Sequence, residues 1–396
     1  MLKISLISIL CASTLLLSAC HDDKDAALPS TAVQPYAIDA DISAWVNQHD
    51  VLRYRMPSVQ QQMIDATALV FTPKGSAPVG GWPVVVWAHG TTGVADQCAP
   101  SNQPLPAIEK SLILGLLQQG YAVVAPDYEG LGHLQHAHPY LHVESAANSI
   151  LSALDAAYAH YAQLSKQWSV VGWSQGGHAV LAVSEYADQR PYQFKGGVAI
   201  APASYLVENF HYGVEAAKHM AAAGDFAAAI EVSANLHTFV ALVANAIQAD
   251  NPRFDLTQVF LNDKVNLAQT AARECSIQVG QNFAIDVQQS LQRGLGFEQY
   301  QALQTKFAED VDVQAYLAKT LPATQPLAYP VHIYQGTADS AVPYDITAHL
   351  VENMRAQGST VHFVALENED HNSVIPAHLA KILGSVNQLM QAPSAF

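Results

Sequence analysis

From Trp82 onward the chain alternates short, almost wholly apolar runs with longer stretches in which apolar residues return at helical intervals. Pro83 to Ala88 predicts a buried strand stopped by His89-Gly90, and Ile108 to Gln119 predicts a helix closed by Gly120. Tyr121 to Ala125 reads as a second strand ended by Pro126-Asp127, and the Ala-rich stretch Glu144 to Leu164 as a helix. A strand at Trp168 to Val171, a helix at Gly176 to Tyr186 and a strand at Gly197 to Ile200 continue the series. Strands that lack a polar face and alternate with helices imply a mainly parallel central sheet flanked by helices, an α/β fold.

Between residues 204 and 328 this rhythm stops. The stretch is Ala-rich, carries scattered aromatics and shows no strand before Val331. It departs from the sheet edge where strand carboxyl ends and functional loops lie, so it reads as a large helical cap insertion over a pocket. A separate helical domain, or an embellishment that only adds stability, is the alternative. Strands at Val331 to Tyr334 and Val361 to Leu366 and a helix from about Ala377 to Met390 close the fold. The expected organisation is therefore one core, residues 36–203 with 329–396, carrying a cap at 204–328.

Composition excludes some classes. Half of the 396 residues are apolar, enough for a substantial core and too many for a disordered chain. The 34 acidic residues outweigh 18 basic ones, and no basic stripe is visible, which argues against a nucleic-acid partner. Lys3 followed by the apolar run Ile4 to Leu17 reads as a signal peptide over residues 1–19, too short for a comfortable membrane span. Its end, Leu17-Ser18-Ala19-Cys20, resembles the lipobox of bacterial lipoproteins. That resemblance implies lipidation of Cys20, a tether over residues 20–35 and attachment to the cell envelope. His21 in place of an aspartate leans towards the outer membrane; a periplasmic or secreted product is the alternative. In an exported chain Cys98 and Cys275 either form a disulfide or remain as two buried thiols.

Gly172-Trp173-Ser174-Gln175-Gly176 carries the chemistry. A serine between a buried strand and a helix, with glycine two places away on each side, matches a turn so sharp that side chains at Gly172 and Gly176 would collide. Its hydroxyl is the candidate nucleophile, and such a nucleophile needs a histidine base and an orienting acid. Asp339, in a turn just past the strand at Val331, is the candidate acid, with Asp345, Glu367 and Asp370 as rivals. His371, in the loop after the last strand, is the candidate base; His349 and His378 fall within helices. The amides of Gln175 and of Thr91, with Thr92 as a near alternative, are candidate oxyanion donors. His89 is expected to prop the Thr91 loop by hydrogen bonding.

His89-Gly90-Thr91-Thr92-Gly93, Asp127-Tyr128-Glu129-Gly130-Leu131-Gly132 and the serine elbow together resemble the α/β-hydrolase superfamily, specifically bacterial relatives of secretory lipases. The resemblance spans about Trp82 to Ile200 and resumes from Tyr329. It implies a triad of Ser174, Asp339 and His371, an oxyanion hole at Thr91 and Gln175, and a lid over the site. It also implies that Asp127, Tyr128 and Gly130 border the acyl pocket. Trp173 departs from the family, which often has a small residue or a tyrosine before the serine.

The expected activity is hydrolysis of carboxylic esters, by an esterase or a lipase, through an acyl-enzyme and without a cofactor. A peptidase or amidase on the same fold would need a recognition subsite that the sequence does not display. His133, His136, His138 and His142 raise the possibility of a metal-binding cell-surface protein, but their spacing, broken by Pro139, lacks the helical i, i+4 pairing of a preformed zinc site. A non-catalytic binding protein on the same scaffold is the remaining alternative.

Overall fold

A computed structural model describes residues 32–36, 40–132 and 136–392. The predicted signal, Cys20 and His133 lie outside the described residues. Among the described residues nine strands form one sheet in the order β1-β2-β3-β5-β4-β6-β7-β8-β9. They are β1 (Ala32–Pro35), β2 (Val46–Pro57), β3 (Met63–Pro73), β4 (Trp82–Ala88), β5 (Ala122–Pro126), β6 (Leu164–Trp173), β7 (Gln193–Ile200), β8 (Val331–Gly336) and β9 (Val361–Leu366). From β5 to β9 along the sheet every neighbouring pair is parallel, whereas β1, β2, β3 and β5 pair antiparallel at the other edge.

The helices are α1 (Ala40–Ser43), α2 (Ala107–Gln118), α3 (Val143–His160), α4 (Gln175–Tyr186), α5 (Leu206–Ala222), α6 (Phe226–Asp250), α7 (Val265–Ala268), α8 (Ser276–Gln292), α9 (Val311–Leu317), α10 (Tyr344–Ala356) and α11 (Val374–Gln391). Because successive strand residues point to opposite faces, β4 feeds two cores at once. Val84, Val86 and Ala88 enter the one that contains α3 and α4; Val85 and Trp87 enter the one that contains α2 and α11. This two-sided burial is why the parallel strands read as continuous apolar runs.

Two sequence expectations need correction, and one feature is new. Ala32–Pro35, placed in the tether, pairs with β2 as an edge strand. Leu164, read as the last residue of a helix, opens β6, because α3 ends at His160 and Tyr161 already has extended backbone. The long β2–β3 pair was not anticipated at all.

Between β7 and β8 the chain is helical and builds a third core of its own. Ala241, Leu242 and Ile247 of α6 pack there with Val279 and Phe283 of α8 and Tyr316 of α9. By length and composition α6 could cross a membrane. In this fold Ala241, Leu242 and Ala246 are buried in that core, while Leu236, Phe239, Val240 and Val243 line a cavity. The disulfide Cys98–Cys275 ties the segment after β4 to the start of α8. A covalent tie across 177 residues restricts the unfolded chain somewhat more than a tie across a short loop would, because closure entropy grows with the logarithm of loop length.

Candidate active site

β6 runs straight into the elbow. Ser174 has φ of 59°, in the left-handed region that a side chain disfavours. Neighbouring bonds hold it there: its N–H donates to Ile200 C=O at 2.8 Å, and its C=O accepts from His178 N–H at 3.0 Å. A Cβ on Gly172 would stand 2.3 Å from Gly176 O, and one on Gly176 would stand 1.8 Å from Ala88 O. The two glycines of the motif are therefore required by contact with backbone, which cannot move aside. The bond from His178 is the first of α4, so the amides of Gln175, Gly176 and Gly177 form the positive end of the helix.

Asp339 follows β8 in a buried turn. Its Oδ1 accepts the amides of Ala341 (2.9 Å) and Val342 (2.8 Å), and its Oδ2 accepts Gln335 Nε2 (3.0 Å) and faces His371 Nδ1 at 2.7 Å. Four donors thus compensate a buried carboxylate and fix its direction. His371 is held from the elbow as well, since Trp173 Nε1 donates to its carbonyl at 3.0 Å and the two rings lie 5.1 Å apart. Among the described residues no hydrogen bond joins the Ser174 hydroxyl to His371 in this conformation. The rivals are engaged elsewhere or exposed. Asp370 caps the amides of Asn372 and Ser373, His378 faces Glu369, His349 faces Asn353, and Asp345 and Glu367 point to solvent.

The loop after β4 approaches Ser174 from the other side. His89 is buried, and burial pushes its imidazole down to about 4, so the ring is neutral. Its Nδ1 lies 2.7 Å from Gly90 O and must therefore carry the proton donated to that carbonyl. The peptide is planar and trans, so a carbonyl held towards His89 turns the N–H of Thr91 the opposite way. Thr91 Oγ1 in turn shares a hydrogen bond of 2.7 Å with Tyr140 OH.

The sequence left His138 and His142 as members of a polar pocket-edge loop or, less favoured, as metal ligands; in the structure both are engaged in hydrogen bonds. His142 caps α3 by accepting from Ser145 N–H. His138, driven down to about 3 by burial, donates from Nδ1 to Glu129 O (2.7 Å) and accepts Gln175 Nε2 at its other nitrogen (2.8 Å). It thereby anchors the side chain of the residue whose amide adjoins Ser174.

The Asp127–Gly130 loop does not stand where the resemblance put it. Asp127 and Tyr128 are buried beneath the His89 loop, with Tyr128 OH donating to His89 O, and Asp127, Tyr128 and Gly130 are absent from the cavity wall. Thr67 Oγ1 and Ser101 N–H satisfy the Asp127 carboxyl, whose value burial raises to about 6. Glu109 behaves similarly: burial lifts it to about 7 although Trp87 Nε1 donates to it at 3.1 Å. A folded-state value above the unfolded one means that the protonated acid stabilises the fold below about 4.5, a contribution lost as pH rises through about 7. Glu109→Gln, which mimics the protonated acid, is expected to leave the melting temperature unchanged near about pH 5. At about pH 8.5 it should raise stability by a few kcal/mol in order of magnitude, as followed by thermal denaturation at both values.

Ser174 opens into a cavity with about 840 Å³ of empty space, part of it continuous with solvent. α5 and α6 supply Leu206, Val207, Phe210, Leu236, Phe239, Val240 and Val243; Val342 enters from beside Asp339, and Tyr140 from beside Thr91. Among the described residues its polar lining comes from Tyr140, Ser174 and Asn209, and none of the lining side chains is charged.

The parallel sheet, the strained serine turn at its carboxyl edge and the apolar cavity beside that turn define an α/β-hydrolase. The model of the secretory lipase family matches residues 99–388, and the chain belongs to that family. It is a carboxylic ester hydrolase, and the family together with the Cys98–Cys275 disulfide marks it as exported. The matched span includes Ser174, Asp339 and His371, while the His89–Gly93 loop lies just before it. The fold is similar to Candida antarctica lipase A in its closed state, at 16% identity over 93% of this chain and 83% of that one, with a TM-score of 0.69. It is also similar to the rice cell wall degrading esterase LipA of Xanthomonas oryzae, at 19% identity over 92% and 98% of the two chains, with a TM-score of 0.67. No curated protein sequence matches the chain.

Proposed function

We propose that the protein hydrolyses esters by acyl transfer to Ser174. His371 takes the Ser174 proton as the hydroxyl attacks the ester carbonyl, then returns it to the departing alcohol; the same base activates water to release the acid. Asp339 holds the imidazole with its proton on Nδ1 and stabilises the imidazolium. The amides of Thr91 and Gln175 are assigned to the oxyanion. The observation that carries this reading is the 2.7 Å Asp339–His371 bond, made by a histidine whose backbone is tied to Trp173, next to Ser174 at the mouth of an apolar cavity.

The uncharged wall favours an acyl chain over a peptide, because a peptide brings amide groups that would need buried partners. We assign residues 204–328 as a cap whose α5 and α6 supply half of that wall. In our reading residues 1–19 are a signal peptide, and lipidated Cys20 anchors the enzyme at the outer membrane.

For soluble aryl esters of increasing acyl length, kcat/KM is expected to rise by up to about 4-fold per methylene until the cavity is filled, from a transfer energy of about 0.8 kcal/mol per CH2. Matched anilides are expected to be turned over poorly. A flat chain-length series, or an anilide cleaved as fast as its ester, would contradict the assignment.

A further inference from the structure

We infer that Ser276, in the helical insertion, is a positioning residue of the oxyanion loop, an assignment that rests on the reading of that loop as the source of an oxyanion donor. Ser276 N–H donates to Thr92 C=O at 2.9 Å, and Ser276 Oγ donates to Thr91 C=O at 3.3 Å. One residue thus holds two consecutive carbonyls of a loop 185 positions earlier in the chain. Its neighbour Cys275 makes an isolated antiparallel bridge with Gly93 and the disulfide with Cys98. The contact therefore joins the two segments by the Ser276 hydroxyl bond, by the bridge to which the Ser276 N–H bond belongs, and by a covalent bond, all within a few residues.

Planarity gives this contact its consequence. The peptide before Thr91 is fixed by His89 through Gly90 O, and the peptide after it is fixed by Ser276 through Thr91 O. Thr91 is held at both ends, from the core by one and from the insertion by the other, and its side chain is held by Tyr140. Turning the Thr91 carbonyl towards α8 also turns Thr92 N–H away from it, so the brace orients the loop whichever of the two amides serves the oxyanion. Ser276 itself is well founded, because α8 buries Val279, Phe283 and Val287.

The position lends itself to a graded test. Ser276→Ala removes the hydroxyl donor and keeps the amide, and Ser276→Thr retains both. With one soluble short-chain ester, kcat is expected to fall about 5-fold for Ser276→Ala and to stay within about 2-fold for Ser276→Thr. KM and melting temperature should hardly move. Affinity for an alkylboronic acid, whose tetrahedral serine adduct needs the oxyanion donors, should fall in step with kcat.

Wild-type kcat and boronate affinity in Ser276→Ala would overturn the inference. So would a loss that appears only in KM, or only alongside a lowered melting temperature. Ser174→Ala assayed in parallel separates the two levels: activity retained there defeats the catalytic reading itself, whereas activity lost there beside unaffected Ser276 variants defeats only the brace.

Discussion

Ser174→Ala is expected to fold normally and to hydrolyse a short-chain aryl ester at least about 10⁴-fold more slowly than the parent enzyme, the scale on which removal of a serine nucleophile acts. The substitution removes one oxygen and leaves the bonds from Ser174 N–H to Ile200 and from His178 N–H to Ser174 C=O in place. The elbow therefore persists, and the melting temperature should shift by no more than a few degrees. Steady-state kinetics beside thermal denaturation checks both halves. Residual turnover near the parent rate would show that another group performs the attack.

Asp339→Asn is expected to cost about 10⁴-fold in kcat, again with little change in KM. The reason lies in the donors around the carboxylate. The amides of Ala341 and Val342 both point at Oδ1, so an asparagine would keep its carbonyl oxygen there and turn its NH2 towards His371 and Gln335. A donor would then face His371 Nδ1, favouring the tautomer protonated at Nε2, which cannot accept the Ser174 proton. The same substitution sets two NH2 groups against each other at Gln335, so a stability loss of about 1–3 kcal/mol is also expected. A variant that retained full kcat would remove Asp339 from the mechanism.

The parallel half of the sheet was legible because burial on both faces leaves an apolar run in β4 and β5. The antiparallel edge was harder. In β2 the alternation was there to be found: Leu52, Tyr54 and Met56 are buried, while Arg53 and Arg55 between them are not. β3 is buried almost throughout and offers no alternation, and only its pairing with β2 and β5 identifies it.

Within the candidate site, Ser174, Asp339 and His371 follow from local grammar, a residue type at a fixed place after a strand. What the sequence left unread are partners supplied from a distance. His138 meets Gln175 across 37 positions, Trp173 meets the His371 carbonyl across 198, and Ser276 meets Thr91 across 185. Asp127 is the converse case. An acid followed by Tyr128 looks like a polar rim, yet Thr67 and Ser101 satisfy its carboxyl far from solvent. Nothing in the local sequence distinguishes a satisfied buried acid from an exposed one.

The most direct test of Ser174 as the acylated residue is mass spectrometry of the enzyme quenched during turnover of a slowly deacylated ester. The result expected is one added acyl mass, located by peptide mapping on Ser174, and absent from Ser174→Ala. An acyl group carried by a different residue, or a modification that persists in Ser174→Ala, would contradict the proposed mechanism.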